Sequence, residues 1–389
     1  MIVDAETNGV YFSNLIKKDV RYSSFWKRLT SVLLEKKICY NYIENTRDIW
    51  CRDYMPIQIG VDKFIQFDYF PDYYLSPKHI AKLTIQSDVR LNYPMEVKNV
   101  KLVIDGGNIV KSDSCVILTE KVLKDNPTYN KTTLISILKK ELEIENIYLI
   151  PQLPYDITGH ADGMVRFLDE SNLLVADYSK ESKSWRAKMD KALEKTGLNI
   201  IRFPAATTNE KNEDGDYTAK GVYINFMHIE NYILFPQFGL DMDDIALDYT
   251  KELYPHCEVI PIDSSEIAKD GGVLNCISWN IQVTTKTAFC SLPKSLPCRE
   301  EQEIYVFSKL DFYFSTFDYM LIADEFQRIW DEHTGELIGD ADIKKQIYRF
   351  LERSLDKNYI PQYYVDRTVD LILEYLESIG QYGFPLCEN

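Results

Sequence analysis

Four short stretches set reactive or charged side chains in otherwise apolar surroundings, each beside residues that permit tight turns. They are RDIWCRDYMP (47–56), LVIDGGNIV (102–110), ITGHADGMVRF (157–167) and KDGGVLNCISWN (269–280). Taken singly, each has an ordinary structural explanation. Asp53 can be an ion pair at the Pro-containing exit from a strand, Asp105-Gly106-Gly107 a turn, His160 a satisfied core imidazole and Cys276 a buried thiol. Together they describe chemistry. A cysteine nucleophile needs a base or a positive neighbour to hold it as thiolate, and His160 is better placed than His79, His228, His256 or His333, which fall in a polar connection, a hairpin turn, a YPHCEV stretch and an acidic tail. Residues 157–167 are expected to be extended, so His160 and Asp162 share one side of the chain, because side chains alternate with period two. Asp105 could orient the imidazole as the third member of a triad. Asp53 and Asp162 would then be free to grip a planar cation through paired charge-assisted hydrogen bonds. A thiolate, an imidazole and several aspartates around a cation suit attack on the electron-poor carbon of a guanidinium.

The elements that must position these residues alternate. SSFWKRLTSVLLEKKI (23–38) has helical spacing, with Ser24 a possible cap, and further helices are expected over 131–143 and 181–196. Short β-rich runs fall between and after them, and GVYINFMHIENYILFPQFG predicts two strands joined at HIEN. This alternation predicts an α/β domain, with 204–220 as a polar surface loop. SLPKSLPCRE (291–300) marks a boundary, so the expected organisation is 1–292 as the α/β domain and 293–389 as a mainly helical extension. In the latter, Val365, Val369, Ile372, Leu376 and Ile379 form one apolar stripe, and acids outnumber bases 19 to 10.

Composition narrows the function. The chain has 389 residues, 45% of them hydrophobic, and a net charge of −16. That balance repels phosphate backbones and disfavours nucleic acid as a partner, while attracting cations. No apolar run spans a bilayer and the first residues do not resemble a secretion signal, so a cytoplasmic protein without membrane contact is expected. Eight cysteines without CxxC pairs suggest reduced thiols. HExxH, paired CxxC and GxxxxGK[ST] are absent, which disfavours zinc or phosphate-loop chemistry; no metal or cofactor is expected.

The motifs, in this order, resemble the agmatine deiminase and Porphyromonas-type peptidylarginine deiminase family of the guanidine-modifying superfamily. The resemblance covers roughly residues 40–285: DIWCRDYMP is similar to a W-x-RD-x-x-P pattern, IDGGNIV to an acid-Gly-Gly strand, GHADGMVRF to GHxDxxxRF, YINFMHIENYILFPQFG to YxNFxxxN followed by P-x-FG, and GGVLNCIS to a Gly-rich approach to the nucleophile. It implies a five-bladed α/β propeller, the pentein fold, around a central pocket. It also implies Cys276 as nucleophile, His160 as general acid and base, and Asp105 as its orienting group. Asp53, Asp162, Trp50, Arg52 and Asn225 are implied to bind substrate. The expected reaction is deimination of a small guanidino substrate, agmatine first, with peptidylarginine or free arginine as alternatives. An amidinotransferase or a noncatalytic cation-binding member would share the same site. Three departures stand out: Asn275 precedes the nucleophile where relatives often have histidine, the Met-Pro-x-Glu-Trp opening of agmatine deiminases is absent, and over one hundred residues follow the cysteine, available for a partner or a second copy.

Overall fold

The computed structural model describes residues 1–290 except 77, 78, 92, 94, 209 and 214, and beyond them 322–323, 325–326, 328–329, 343–347, 349 and 362–378. It divides into two compact units, Met1–Lys286 and Thr287–Asn389.

The first unit is built from one motif used five times. Its fifteen strands are β1 (Gly9–Ser13), β2 (Tyr40–Ile43), β3 (Ile57–Gly60), β4 (Lys63–Asp68), β5 (Glu96–Val103), β6 (Val110–Lys111), β7 (Cys115–Thr119), β8 (Asn146–Ile150), β9 (Val165–Phe167), β10 (Asn172–Ala176), β11 (Asn199–Phe203), β12 (Met227–Ile229), β13 (Tyr232–Gln237), β14 (Glu258–Asp263) and β15 (Ser278–Ile281). They form five three-stranded sheets, β15-β1-β2, β3-β4-β5, β6-β7-β8, β9-β10-β11 and β12-β13-β14. In each sheet the first pair is antiparallel and the second parallel. This is the five-bladed α/β propeller. The first blade is closed by strands from the two ends of the unit, with Val10 opposite Asn280 and Tyr11 opposite Trp279.

A parallel pair requires a long crossover, usually a helix. Four blades use one: Ser23–Glu35, Lys131–Leu142, Lys183–Glu194 and Asp243–Leu253. Each carries an apolar stripe onto its sheet. In Lys131–Leu142 the stripe is Leu134, Leu138 and Leu142, all fully buried, and truncating one such leucine to alanine costs about 2–5 kcal/mol. Asn130 caps this helix by accepting from the Thr133 amide at 2.9 Å. The helix from Ser23 begins one residue earlier than Ser24 could cap; its N-cap is Tyr22, without a capping side chain. Among the described residues, the blade β3-β4-β5 has only 3-10 turns between β4 and β5, and these bring Tyr73 and Tyr74 toward the site.

Three expectations need correction. Residues 157–164 are bends and turns before β9 rather than a strand, with Gly159 at φ +63°. His160 and Asp162 therefore do not share a face by strand alternation. The motif around Asp53 is a helical turn, Cys51–Tyr54, and not a strand exit. Cys39 and Cys290 each take part in a disulfide, against the expectation of reduced thiols, whereas Cys51, Cys115, Cys257 and Cys276 are free.

In the second unit the described residues are helical. Val365, Val369 and Ile372 of the helix Gln362–Ser378 are buried, as are Phe326, Ile343 and Ile347. The proline-containing stretch 291–300 and the side chains of Leu376 and Ile379 lie outside the described residues. Among the described residues no helix is long and apolar enough to cross a membrane.

Candidate active site

The propeller explains how residues so far apart in sequence meet. Each linker from one blade to the next contributes to one centre: Asp53 between β2 and β3, Gly106-Gly107 between β5 and β6, His160 and Asp162 between β8 and β9, Asn225 between β11 and β12, and Cys276 between β14 and β15. Adjacent linkers are tied by hydrogen bonds. The Asp162 amide donates to the Gly107 carbonyl at 3.1 Å, Asn275 to Asn225 at 3.1 Å, and Arg52 to Cys276 at 3.2 Å. The Gly107 amide donates to Asp53 Oδ1 at 3.0 Å.

The glycines are required by this crowding. A Cβ on Gly106 would overlap the Arg52 carbonyl oxygen, and one on Gly272 would enter the Trp50 ring. On Gly107 it would lie 2.7 Å from both Asp53 Oδ1 and His160 Nδ1. Asp105-Gly106-Gly107 is thus a close-approach motif as well as a turn.

The imidazole of His160 is buried between two carboxylates. Nε2 lies 3.0 Å from Asp105 Oδ2 and Nδ1 3.6 Å from Asp53 Oδ1. Tyr73 donates its hydroxyl to the same Asp105 oxygen at 3.1 Å. Cys276 Sγ stands 3.9 Å from Asp162 Oδ2 and 3.3 Å from Asn225 Oδ1. Asn275, in the position that relatives often give to histidine, donates its amide to Asp162 Oδ2 at 2.7 Å. The Nδ2 of Asn225 is buried without a protein partner.

Trp50, Asp53, His160, Asp162, Asn225 and Cys276 all line one cavity of about 370 Å³. Asp105 supports His160 from outside that lining. Arg52, expected at the substrate, does not reach this cavity; its Nε donates to the Asn275 carbonyl at 3.2 Å and the side chain lines a second, smaller cavity. Residues from the 204–220 stretch, among them Thr207, Asp216 and Tyr217, wall the large cavity, so it is more than a surface loop. Tyr73 is the participant that sequence reasoning missed, because it belongs to an irregular crossover without a motif of its own.

The field inside the site is set by burial and by like charges. Burial alone would lower the pKa of His160, but Asp53, Asp105 and Asp162 outweigh it and raise it to about 10, so the ring is an imidazolium at neutral pH. Asp53 is raised to about 8, by burial first, with Asp105 and Asp162 adding repulsion and His160 opposing them. The Cys276 thiol is pushed well above its usual value by burial and then by Asp162 and Asp53. The imidazole is occupied by carboxylates, so His160 does not hold Cys276 as a thiolate in the free site. Such a site can receive a planar cation between Asp53 and Asp162, with a thiol and a proton donor nearby.

The known proteins that this chain resembles have the same architecture. The model of the Porphyromonas-type peptidyl-arginine deiminase family matches residues 17–281. A curated relative from Listeria monocytogenes is 28% identical over 212 residues, 46% of this chain and 58% of that protein. The agmatine deiminase of Stutzerimonas stutzeri is 22% identical over 221 residues, 49% of this chain and 60% of its own. The chain thus spans less than two thirds of the length of these curated relatives. Among solved structures, the agmatine deiminase of C. jejuni superposes with a TM-score of 0.57 at 19% identity, covering 71% of this chain and 94% of that one, which is a likeness of fold. A family match over more than half of the chain, five blades and the placement of its motifs on the blade junctions lead to one assignment: this chain belongs to the Porphyromonas-type peptidyl-arginine deiminase family.

Proposed function

We propose that this protein is a cysteine-dependent hydrolase that deiminates a small guanidino substrate, agmatine first, giving N-carbamoylputrescine and ammonia on a route toward putrescine. The observation that carries this reading is the thiol of Cys276 beside the Asp162 carboxylate, in one cavity with an imidazole clamped by Asp53 and Asp105. The cavity also favours a substrate charged at both ends. Its lining holds eight aspartates against two arginines and one lysine, which suits the amine of agmatine better than the carboxylate of arginine.

The steps follow from the field. A guanidinium entering between Asp53 and Asp162 favours the ionised form of Asp53 and offsets the carboxylate field that adds to burial in keeping the thiol protonated, and the thiol releases its proton to solvent. The thiolate adds to the central carbon and forms a C–S bond. His160, held as imidazolium by its carboxylates, gives its proton to the departing nitrogen as the C–N bond breaks and ammonia leaves. The neutral imidazole then takes a proton from water as that water adds to the S-alkylthiouronium. Collapse breaks the C–S bond and the hydroxyl proton of the adduct passes to the departing sulfur, leaving a neutral ureido product and the thiol. Asn225, with a free buried N–H beside the sulfur, can donate to the developing charge after rotation of its amide.

Ammonia release from agmatine, arginine and a blocked arginine peptide, for the full chain and for Cys276→Ser, tests the reading. Agmatine should turn over fastest and Cys276→Ser should be inactive. Turnover retained in Cys276→Ser, or no ammonia from any of the three, would remove the proposal and favour a binding protein.

A further inference from the structure

His160 has two opposed tasks in the reaction proposed above: it gives a proton to the departing nitrogen and later takes one from water. Its Nε2 is committed to Asp105 Oδ2 at 3.0 Å, so Nδ1, 3.6 Å from Asp53 Oδ1, is the nitrogen left to exchange a proton. How readily Nδ1 does so depends on the negative charge that Asp105 presents at Nε2. That oxygen is shared. Tyr73 donates its hydroxyl to the same Oδ2 at 3.1 Å, and a carboxylate oxygen offers about two lone-pair sites.

The phenol is held firmly for a residue on an irregular crossover. Tyr73 lies in the 3-10 turn Asp72–Tyr74. The Tyr74 ring packs against it with centroids 5.2 Å apart, the His160 imidazole meets it edge-on at 6.3 Å, and Lys121 Nζ stands 5.9 Å from its centroid. Lys121 is itself buried and anchored, to Asp125 at 2.7 Å and to Asp72, the chain neighbour of Tyr73, at 3.1 Å. Burial and then Asp105 push the pKa of the Tyr73 hydroxyl well above its usual value, so it stays protonated and remains a donor across the neutral range.

We propose that Tyr73 is a positioning residue for His160: its hydroxyl fixes the Asp105 carboxylate and shares the oxygen that binds Nε2, which keeps the imidazolium able to release its other proton. Its part in turnover rests on the deiminase reading, whereas its hold on Asp105 does not. A phenol donated to a carboxylate stabilises the charge there and leaves less of it for a second donor. Without the hydroxyl, Asp105 would grip Nε2–H more tightly and Nδ1 would part with its proton less readily. A role confined to packing would have no such effect, because phenylalanine supplies the same ring.

Tyr73→Phe in the full chain, labelled at the histidine nitrogens, is therefore the test. The ring resonances of His160 are identified by their loss in His160→Gln. In Tyr73→Phe at neutral pH the Nε2–H resonance should move to lower field, the mark of a stronger bond to Asp105. With agmatine, kcat should fall about tenfold, the scale of one hydrogen bond to a charged group. The basic limb of the pH–rate profile should move to higher pH, opposite to the effect of removing the Asp105 charge itself. An unmoved resonance in a protein folded by circular dichroism, or a pH–rate profile identical to that of an active wild type, would overturn the proposal. A wild type without turnover, in which the resonance still moves on substitution, would remove the deiminase reading and leave the positioning of His160 standing.

Discussion

Gly107→Ala is the sharpest perturbation of the site, because it adds one methyl group and removes none of the reacting atoms. The backbone of Gly107 is not in the left-handed region, so alanine is not excluded by conformation. The added Cβ would stand 2.7 Å from Asp53 Oδ1 and 2.7 Å from His160 Nδ1, where ordinary contact begins at 3.4 Å. Each group must retreat by about 0.7 Å, in different directions. Asp53 can retreat only by lengthening its 3.0 Å bond from the Gly107 amide, and His160 only by straining its 3.0 Å contact with Asp105. A displacement approaching 1 Å in a catalytic constellation costs about 100-fold in rate, or about 2.7 kcal/mol of barrier. Steady-state ammonia release from agmatine should therefore show kcat/KM down by about two orders of magnitude, while overpacking lowers stability by about 1–3 kcal/mol and leaves a folded protein. Circular dichroism with thermal melting separates the two effects. A folded Gly107→Ala protein within threefold of wild-type kcat/KM would refute the claim that the linkers pack tightly enough to fix both groups.

Two further outcomes follow from the charges around His160. Asp105→Asn removes a carboxylate that raises the pKa of the imidazole, so kcat should fall by about 10²–10⁴-fold and the basic limb of the pH–rate profile should move to lower pH; an unmoved limb would show that His160 is not the titrating acid. Stability should also depend on pH. The stabilisation of His160 is fully present below about pH 6.5 and lost as pH rises toward about 10, whereas Asp53, raised to about 8, penalises the fold increasingly above its unfolded value of 3.8. Both make the folded chain bind more protons than the unfolded one, so stability should fall between pH 6.5 and 8, at about 1.4 kcal/mol per pH unit for each excess proton. Asp53→Asn should flatten that slope in thermal melts across the same range, and a slope equal to wild type would contradict the assignment.

Which residues gather at the candidate site was largely legible in the sequence, and their geometry was not. Cys276, His160, Asp53, Asp105 and Asp162 announce themselves because charged and reactive types beside glycines are unusual in apolar stretches. The helices over 131–142 and 183–194 were equally visible, since period 3.6 is a local property. What failed was local conformation where tertiary contacts decide it. The HxD pair lies in a turn because the Asp162 amide bonds to the Gly107 carbonyl of another linker, a partner with no local trace. Arg52 looked like a substrate ligand from its place beside Asp53, yet successive residues of a helical turn point in different directions, and its guanidinium lines the smaller cavity. Tyr73 could not be found by pattern, because the crossover that carries it has no periodicity.

The last strand of the propeller has a consequence for biosynthesis. Cys276 stands two residues before β15, which pairs with β1 from the opposite end of the unit. Translation delivers the four other linkers first, but they cannot meet the sulfur until the ribosome has released the chain through Ile281 and the first blade has gained its third strand. Bringing together segments so distant along the chain is slow relative to forming any single blade. The nascent polypeptide therefore carries this thiol without its carboxylates, and the onset of the proposed activity would time the closing of the ring rather than the folding of its parts.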